Sequence, residues 1–259
     1  NVQGQITAAV GTPNGKLYYK GITRSTYDSV QLSISGSTFS VTVNETMLDE
    51  LGVEIFARVL DQTEARKSSN TVRIYRVFTA ANSPTLINET LSGTEASIKI
   101  ISIPYDLTDP DISTIFNSLG VDNSYDKKSW RLAHYIEGRG NVEYNNGTSK
   151  IDRGLGYWFN AKGPVNLKTG DGKVGDYNAD KHFPLQLVQG WNQIGNPYPF
   201  PIDWVDVLKD NNINSGIGQL WIYDGSKSNY ANGIILPLPA FSGGFVRSDA
   251  NVTLNVKVS

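Results

Sequence analysis

Gly190-Trp191-Asn192-Gln193-Ile194-Gly195-Asn196-Pro197-Tyr198-Pro199-Phe200-Pro201-Ile202-Asp203-Trp204 decides how the second half of this chain is read. Its opening residues, with Trp191 and Ile194 as the large apolar side chains, predict a short strand. Three prolines then end it, because a proline ring has no N–H to give to a sheet ladder. The residues before those prolines (Asn196, Tyr198, Phe200) are pushed towards extended geometry, which makes the segment a stiff strap. Asp203, ahead of Trp-Val-Asp-Val-Leu, is placed to open a short helix as its N-terminal carboxylate. So many large apolar side chains on one path predict a strap lying over a core. Trp191, Ile194, Pro197, Pro199, Pro201 and Trp204 are read as its structural residues, with Trp191 and Trp204 as buried anchors at the two ends.

Outward from the strap, short alternating runs dominate. Val30, Leu32 and Ile34 alternate with polar residues, then Gly36-Ser37 turns into Phe39, Val41 and Val43, a hairpin with one buried face. Val53, Ile55, Ala57 and Val59 form another strand; 6–10, 16–20 and 71–77 supply three more. Strands at this spacing without helices predict a β-sandwich over 1–80. Asn82-Ser83-Pro84 breaks the pattern, so 81–94 is expected as a linker and 95–259 as a second, β-rich domain. Within it, 98–103, 130–136, 140–144, 156–161, 165–169 and 183–188 read as strands. The best helix is 109–120: Asp109 to cap it, Pro110 at its first position, and Ile112, Ile115, Phe116 and Leu119 on one face. The fold class is therefore all-β with one or two short helices.

The strap resembles the GWN-x-IGNP-[YF]-P-x-P-[IV]-DW signature of a β-rich domain in large secreted bacterial surface proteins, which often end in a type IX secretion sorting domain. Ile100-Ile101-Ser102-Ile103-Pro104, Ser129-Trp130-Arg131-Leu132 and Arg153-Gly154-Leu155-Gly156-Tyr157-Trp158 carry the resemblance upstream. Leu220-Trp221-Ile222-Tyr223-Asp224-Gly225 and Phe241-Ser242-Gly243-Gly244-Phe245-Val246 carry it downstream. The first half is similar to immunoglobulin-like or fibronectin-III-like modules of surface proteins, without their cysteine pair and central tryptophan. The resemblance implies an extracellular, cell-surface location and brings no catalytic residue with it.

Composition narrows the function classes. The 259 residues carry 23 Lys plus Arg against 25 Asp plus Glu, with no basic stripe to neutralise a phosphate backbone, so no nucleic-acid partner is expected. The absence of cysteine removes a disulfide framework, thiolate zinc and a cysteine nucleophile together. No apolar run is long enough to span a bilayer as a helix, and the start at Asn1 reads as that of an excised fragment or processed chain.

Candidate chemistry is sparse. Asp176, Asn178 and Asp180, with Asp171 before them, alternate as the first ligands of a calcium loop do, but Lys181 and Leu187 stand where an EF-hand needs glycine and glutamate. A solvated glycine-rich hairpin loop is the preferred reading of 171–180, with calcium as the one cofactor it suggests. His134 and His182 are read as ordinary strand-end residues, and no serine sits in a Gly-x-Ser-x-Gly elbow. Trp130, Trp158, Trp191, Trp204 and Trp221 raise carbohydrate binding, although tryptophans among alternating apolar residues more often fill a core. The expectation is a non-enzymatic part of a secreted, surface-displayed bacterial protein, acting as a spacer or adhesive module towards surface glycans or other surface proteins. The alternatives are a carbohydrate-binding accessory module of a secreted hydrolase and a self-assembling extracellular structural subunit.

Overall fold

A computed structural model gives the fold and describes residues 2–6, 11–43, 49, 51–60, 63, 66–119, 125, 127–175, 182–232 and 237–257. The chain is all-β, with two short α-helices among the described residues. It divides into two compact units, Asn1–Arg76 and Val77–Ser259.

The first unit contains β1 (Val2–Gln5), β2 (Asn14–Gly21), β3 (Asp28–Gln31), β4 (Ser33–Ser35), β5 (Thr38–Val41), β6 (Gly52–Leu60), β7 (Arg66–Ser68) and β8 (Val72–Tyr75). One sheet runs β1-β5-β4; the other runs β3-β2-β6, with β7 and β8 both pairing with β6. Leu17, Tyr19, Leu32, Val41, Val53, Ile55 and Ala57 from both sheets form one buried cluster, which makes the unit sandwich-like. The strand expected over 30–34 breaks at Leu32: β3 belongs to one sheet and β4 to the other. Leu32 stays inside while the backbone crosses, its N–H bonded to Gly15 O at 2.9 Å. The strand expected over 6–10 falls mainly outside the described residues, and β1 precedes it.

The second unit contains β9 (Val77–Phe78), β10 (Thr85–Ser92), β11 (Lys99–Ile101), β12 (Tyr105–Leu107), α1 (Ile112–Ile115), β13 (Trp130–Ile136), β14 (Gly140–Glu143) and β15 (Tyr157–Lys168). After these come β16 (Gly172–Val174), β17 (His182–Leu187), β18 (Gly190–Gly195), β19 (Ile202–Asp203), α2 (Trp204–Asp210), β20 (Trp221–Asp224), β21 (Asn229–Asn232), β22 (Pro237–Leu238), β23 (Gly243–Ser248) and β24 (Val252–Lys257). The long strand β15 holds β13 on one edge and both β10 and β11 on the other, with β14 outside β13. A second sheet runs β18-β23-β20-β21, and β17 pairs with β24. The inward positions of β15 (Tyr157, Phe159, Ala161) are buried. Phe116 stacks on Trp130 at 5.5 Å and lies 5.7 Å from Phe159 in the same core.

Residues 81–94 are not a linker. The first unit ends at Arg76, a 3-10 turn follows at Ala80–Asn82, and β10 pairs with β15 from Thr85↔Lys168 to Ser92↔Lys162. Ile87 and Leu91 are buried while Asn88, Thr90 and Ser92 on the other face are exposed; Glu89 shares the inner face but is exposed and pairs with Lys99. The helix expected over 109–120 is also shorter. Asp109 accepts from Asp111 N at 3.0 Å and Thr114 Oγ1 at 2.7 Å, Asp111 becomes the N-cap, and α1 gives way to a 3-10 turn at Asn117–Leu119. Its apolar face is still the buried one, through Ile112, Ile115 and Phe116. The two strands expected at 156–161 and 165–169 are one, β15, with Gly163 inside it at φ +104°.

The strap follows its sequence logic after the first residues. Asn196 is fully buried; its amide donates to Phe200 O (2.8 Å), Leu238 O (2.9 Å) and Pro239 O (3.1 Å), and its Oδ1 accepts from Tyr198 N (2.9 Å). Every polar atom of this side chain is thus bonded, which a buried amide needs. Ile194, Pro197 and Tyr198 are buried, Pro199 half-buried and Pro201 exposed. Tyr198 stacks on Phe200 and donates its hydroxyl to Val256 O. Asp203 caps α2 by accepting from Val205 N at 2.9 Å, and Trp204 is fully buried with its indole N–H towards Gly218 O at 3.3 Å. Trp191 is the exception: 37% exposed, it is no buried anchor. Strand alternation explains this, since residues 191 and 194 lie three apart and point to opposite faces of β18.

Candidate functional site

The register of the two sheets of the second unit assembles one aromatic cleft. On β13, Trp130 and Leu132 point inward, so Arg131, Ala133 and Tyr135 point the other way. Directly opposite residues of an antiparallel pair share a face. Asn141 and Glu143 of β14 (opposite Tyr135 and Ala133) and Trp158 and Asn160 of β15 (opposite Ala133 and Arg131) therefore join that face. In the second sheet the same reasoning unites Trp191 and Gln193 of β18, Phe245 of β23, Trp221 and Tyr223 of β20, and Tyr230 of β21. Between these two faces lies an open cleft of about 460 Å³, lined by Tyr135, Asn141, Trp158, Trp191, Trp221, Tyr230 and Phe245.

The rings brace one another at steep angles. Trp191 meets Trp221 at 6.4 Å and 75°, and Tyr135 meets Phe245 at 5.5 Å and 71°. Trp158 meets Tyr223 at 5.0 Å and 81° and Tyr230 at 6.4 Å and 73°. Edge-to-face contacts of this kind fix ring positions beyond what burial alone does. Trp191 and Tyr230 are the most exposed of the set, at 37% and 38%.

Hydrogen bonds set the rim. Glu137 Oε2 accepts from Trp191 N and from Tyr135 Oη, both at 2.9 Å. The hydrogen bond to Glu137 raises the pKa of the Tyr135 phenol, so it stays protonated. Gly190 makes room for this carboxylate: its φ is +106°, and a Cβ there would lie 2.5 Å from the Glu137 carboxyl carbon. On the same face as Trp191, buried Gln193 accepts from Tyr135 N at 2.7 Å.

A second recess of about 280 Å³ continues past Asn141 and Trp158, which line both spaces. Arg131, Glu143, Asn160 and Tyr223 line it too. Glu143 pairs with Arg131 and accepts from Tyr125 Oη at 2.8 Å. Burial works against ionising Glu143, but the bonds from Arg131 and Tyr125 outweigh it and hold its carboxyl below the usual carboxylate range. Asn160 is fully engaged, donating to Gly93 O and Thr94 O and accepting from Ser97 Oγ.

Three glycines let the two sheets touch. A Cβ on Gly156 would lie 2.6 Å from Ile194 O, one on Gly195 2.2 Å from Leu155 O, and one on Gly243 3.1 Å from Gly156 Cα. Gly195 N bonds Gly154 O at 2.8 Å across the same junction.

Of the tryptophans, Trp130 and Trp204 fill cores as expected, whereas Trp158, Trp191 and Trp221 line the cleft. The calcium-loop residues Asp176, Asn178 and Asp180 lie outside the described residues; Asp171 accepts from Ala80 N and so fastens a turn. Among the described residues no group of three or more His, Asp or Glu side chains gathers as a metal site would. His134 sits behind the cleft, its Nδ1 bonded to Gly156 O at 2.8 Å, and burial lowers its pKa. No helix among the described residues is long and apolar enough to cross a membrane. Comparison with family models, curated proteins and solved structures returns no match, so the cleft is interpreted from its own chemistry.

Proposed function

We propose that the second unit is a non-catalytic glycan-binding module of a secreted, surface-displayed bacterial protein, with the cleft between the two sheets as its site. One observation carries this reading: Trp158, Trp191 and Trp221 converge with Tyr230 on a single open cleft. A pyranose ring has an apolar C–H face that packs on an aromatic ring while its hydroxyls reach polar groups at the edge. Exposed apolar surface of this kind, rimmed by polar side chains, marks binding sites in soluble folds. Glycoside hydrolysis instead uses two carboxylates flanking the bond. Of the carboxylates around the cleft, Glu137 at the rim is engaged by Trp191 N and the Tyr135 hydroxyl, and the partners of Glu143 keep it ionised rather than poised to give a proton. Secretion and surface display rest on the resemblance of the strap and its flanking segments.

The test is a titration of the intact chain with soluble polysaccharides by calorimetry and affinity electrophoresis, beside Trp191→Ala and Trp221→Ala. Loss of binding in both variants, with unchanged melting, supports the reading. Retention of full affinity in both would overturn it.

A further inference from the structure

The rings of the cleft do not form a platform. A crystalline polysaccharide face is flat and needs coplanar aromatic rings in a row; here the neighbouring pairs Trp191–Trp221 and Trp158–Tyr230 are inclined by 75° and 73°. Walls so inclined wrap one chain from more than one side.

The site also has two unlike ends. Aromatic rings line one, and past Asn141 and Trp158 the other presents Arg131 and Glu143. The Arg131 side chain is 59% exposed and still has N–H groups to offer beyond the one paired with Glu143. The Glu143 side chain is only 12% exposed, held from behind by Tyr125. Beside them, Tyr223 Oη lies 3.5 Å from Glu95. The charged groups at this end are therefore Glu143 inside the recess, Arg131 already paired with it, Lys127 whose charge also favours the ionised Glu143, and the exposed carboxylate of Glu95. A sugar carboxylate or sulfate placed against Glu143 would meet its fixed negative charge in a partly desolvated recess, where such repulsion is screened least, with the near cation Arg131 already paired to it. Neutral hydroxyls fit: one can donate to Glu143 while its neighbour accepts from Arg131.

Resting on the glycan-binding reading above, we infer that the cleft takes a single, soluble, uncharged polysaccharide chain laid from the aromatic end to the Arg131–Glu143 pair, which selects against anionic sugars. Binding requires a chain rather than one sugar, because the two ends are separate recesses joined at Asn141 and Trp158.

The intact chain is titrated with soluble mixed-linkage β-glucan and galactomannan, and with polygalacturonate and alginate as anionic counterparts. Adsorption to microcrystalline cellulose and chitin is measured by depletion. At least one neutral soluble polymer is expected to bind more tightly than both anionic ones, without adsorption to either crystalline solid. Arg131→Gln should weaken neutral binding about tenfold or more, as loss of a charge-assisted hydrogen bond does. Glu143→Gln should narrow the preference against the anionic polymers. Melting curves of both variants guard against unfolding. Tighter binding of an anionic polymer, or adsorption to a crystalline face, in either case lost in Trp191→Ala, would overturn this inference and leave the glycan cleft standing. No binding to any of these materials would overturn both.

Discussion

The carboxylate of Glu137 accepts the backbone N–H of Trp191 at 2.9 Å, joining the end of β13 to the start of β18 across 54 residues of sequence. It takes the Tyr135 hydroxyl with the same oxygen, so one side chain positions two residues of the cleft. Gly190→Ala would place a methyl group against that carboxylate and force an L side chain to φ +106°. It is expected to cost roughly 1–3 kcal/mol and to weaken glycan binding, read by denaturant unfolding and calorimetry. Glu137→Gln, which keeps the shape, should cost about 1 kcal/mol or less.

The two tryptophans of the strap should separate cleanly. Trp204 is fully buried and Trp191 is not. Trp204→Ala is expected to destabilise the protein by roughly 3–5 kcal/mol, whereas Trp191→Ala should cost about 1 kcal/mol or less and lose affinity about 30-fold or more, as a hot-spot aromatic does. Thermal melts beside binding titrations decide it; similar melting of the two variants would contradict the division.

Asn196 bonds three carbonyls and one N–H from full burial. Asn196→Leu leaves those groups without partners and should cost roughly 3 kcal/mol or more, with β22 and the strap losing hydrogen-exchange protection together.

His134 gives a pH signature. Burial lowers its pKa, so the folded chain holds fewer protons on this ring than the unfolded chain does. Its contribution is present above the unfolded value of about 6.5 and is lost as pH falls through the folded value. Stability should therefore fall as pH drops below about 6.5 and level off, for this group, once pH is below the folded value. His134→Asn, which can still donate to Gly156 O, should remove this component of the slope.

The start of the second unit is testable by truncation. A chain beginning at Val77 keeps β10 on β15, while one beginning at Glu95 loses Ile87 and Leu91 from the core. The first should give a cooperative melt and the second should not.

Much of this was legible locally. The prolines of the strap, the cap at Asp203, the turn at Gly36-Ser37 and the strand at 130–136 follow from residue chemistry and short-range alternation. β10 was not, because an edge strand whose exposed residues are Thr, Asn, Glu and Ser has the composition of a loop. Trp191 belongs to a run of large apolar residues that suggests burial, but a spacing of three puts Trp191 and Ile194 on opposite faces, and only Ile194 is buried. The cleft itself was beyond local reading. Tyr135, Trp158, Trp191, Trp221, Tyr230 and Phe245 each come from a different strand, and only the register between those strands shows that they share a space.

The glycine junction at Gly156, Gly195 and Gly243 has a thermodynamic consequence. The two walls of the cleft meet there backbone against backbone, with no side-chain rotamers to settle when a ligand arrives. The site is therefore preorganised, and little ordering cost should be subtracted from the contact energy on association. Free and bound backbones should superpose closely, and backbone order parameters along β15, β18 and β23 should hardly change on saturation.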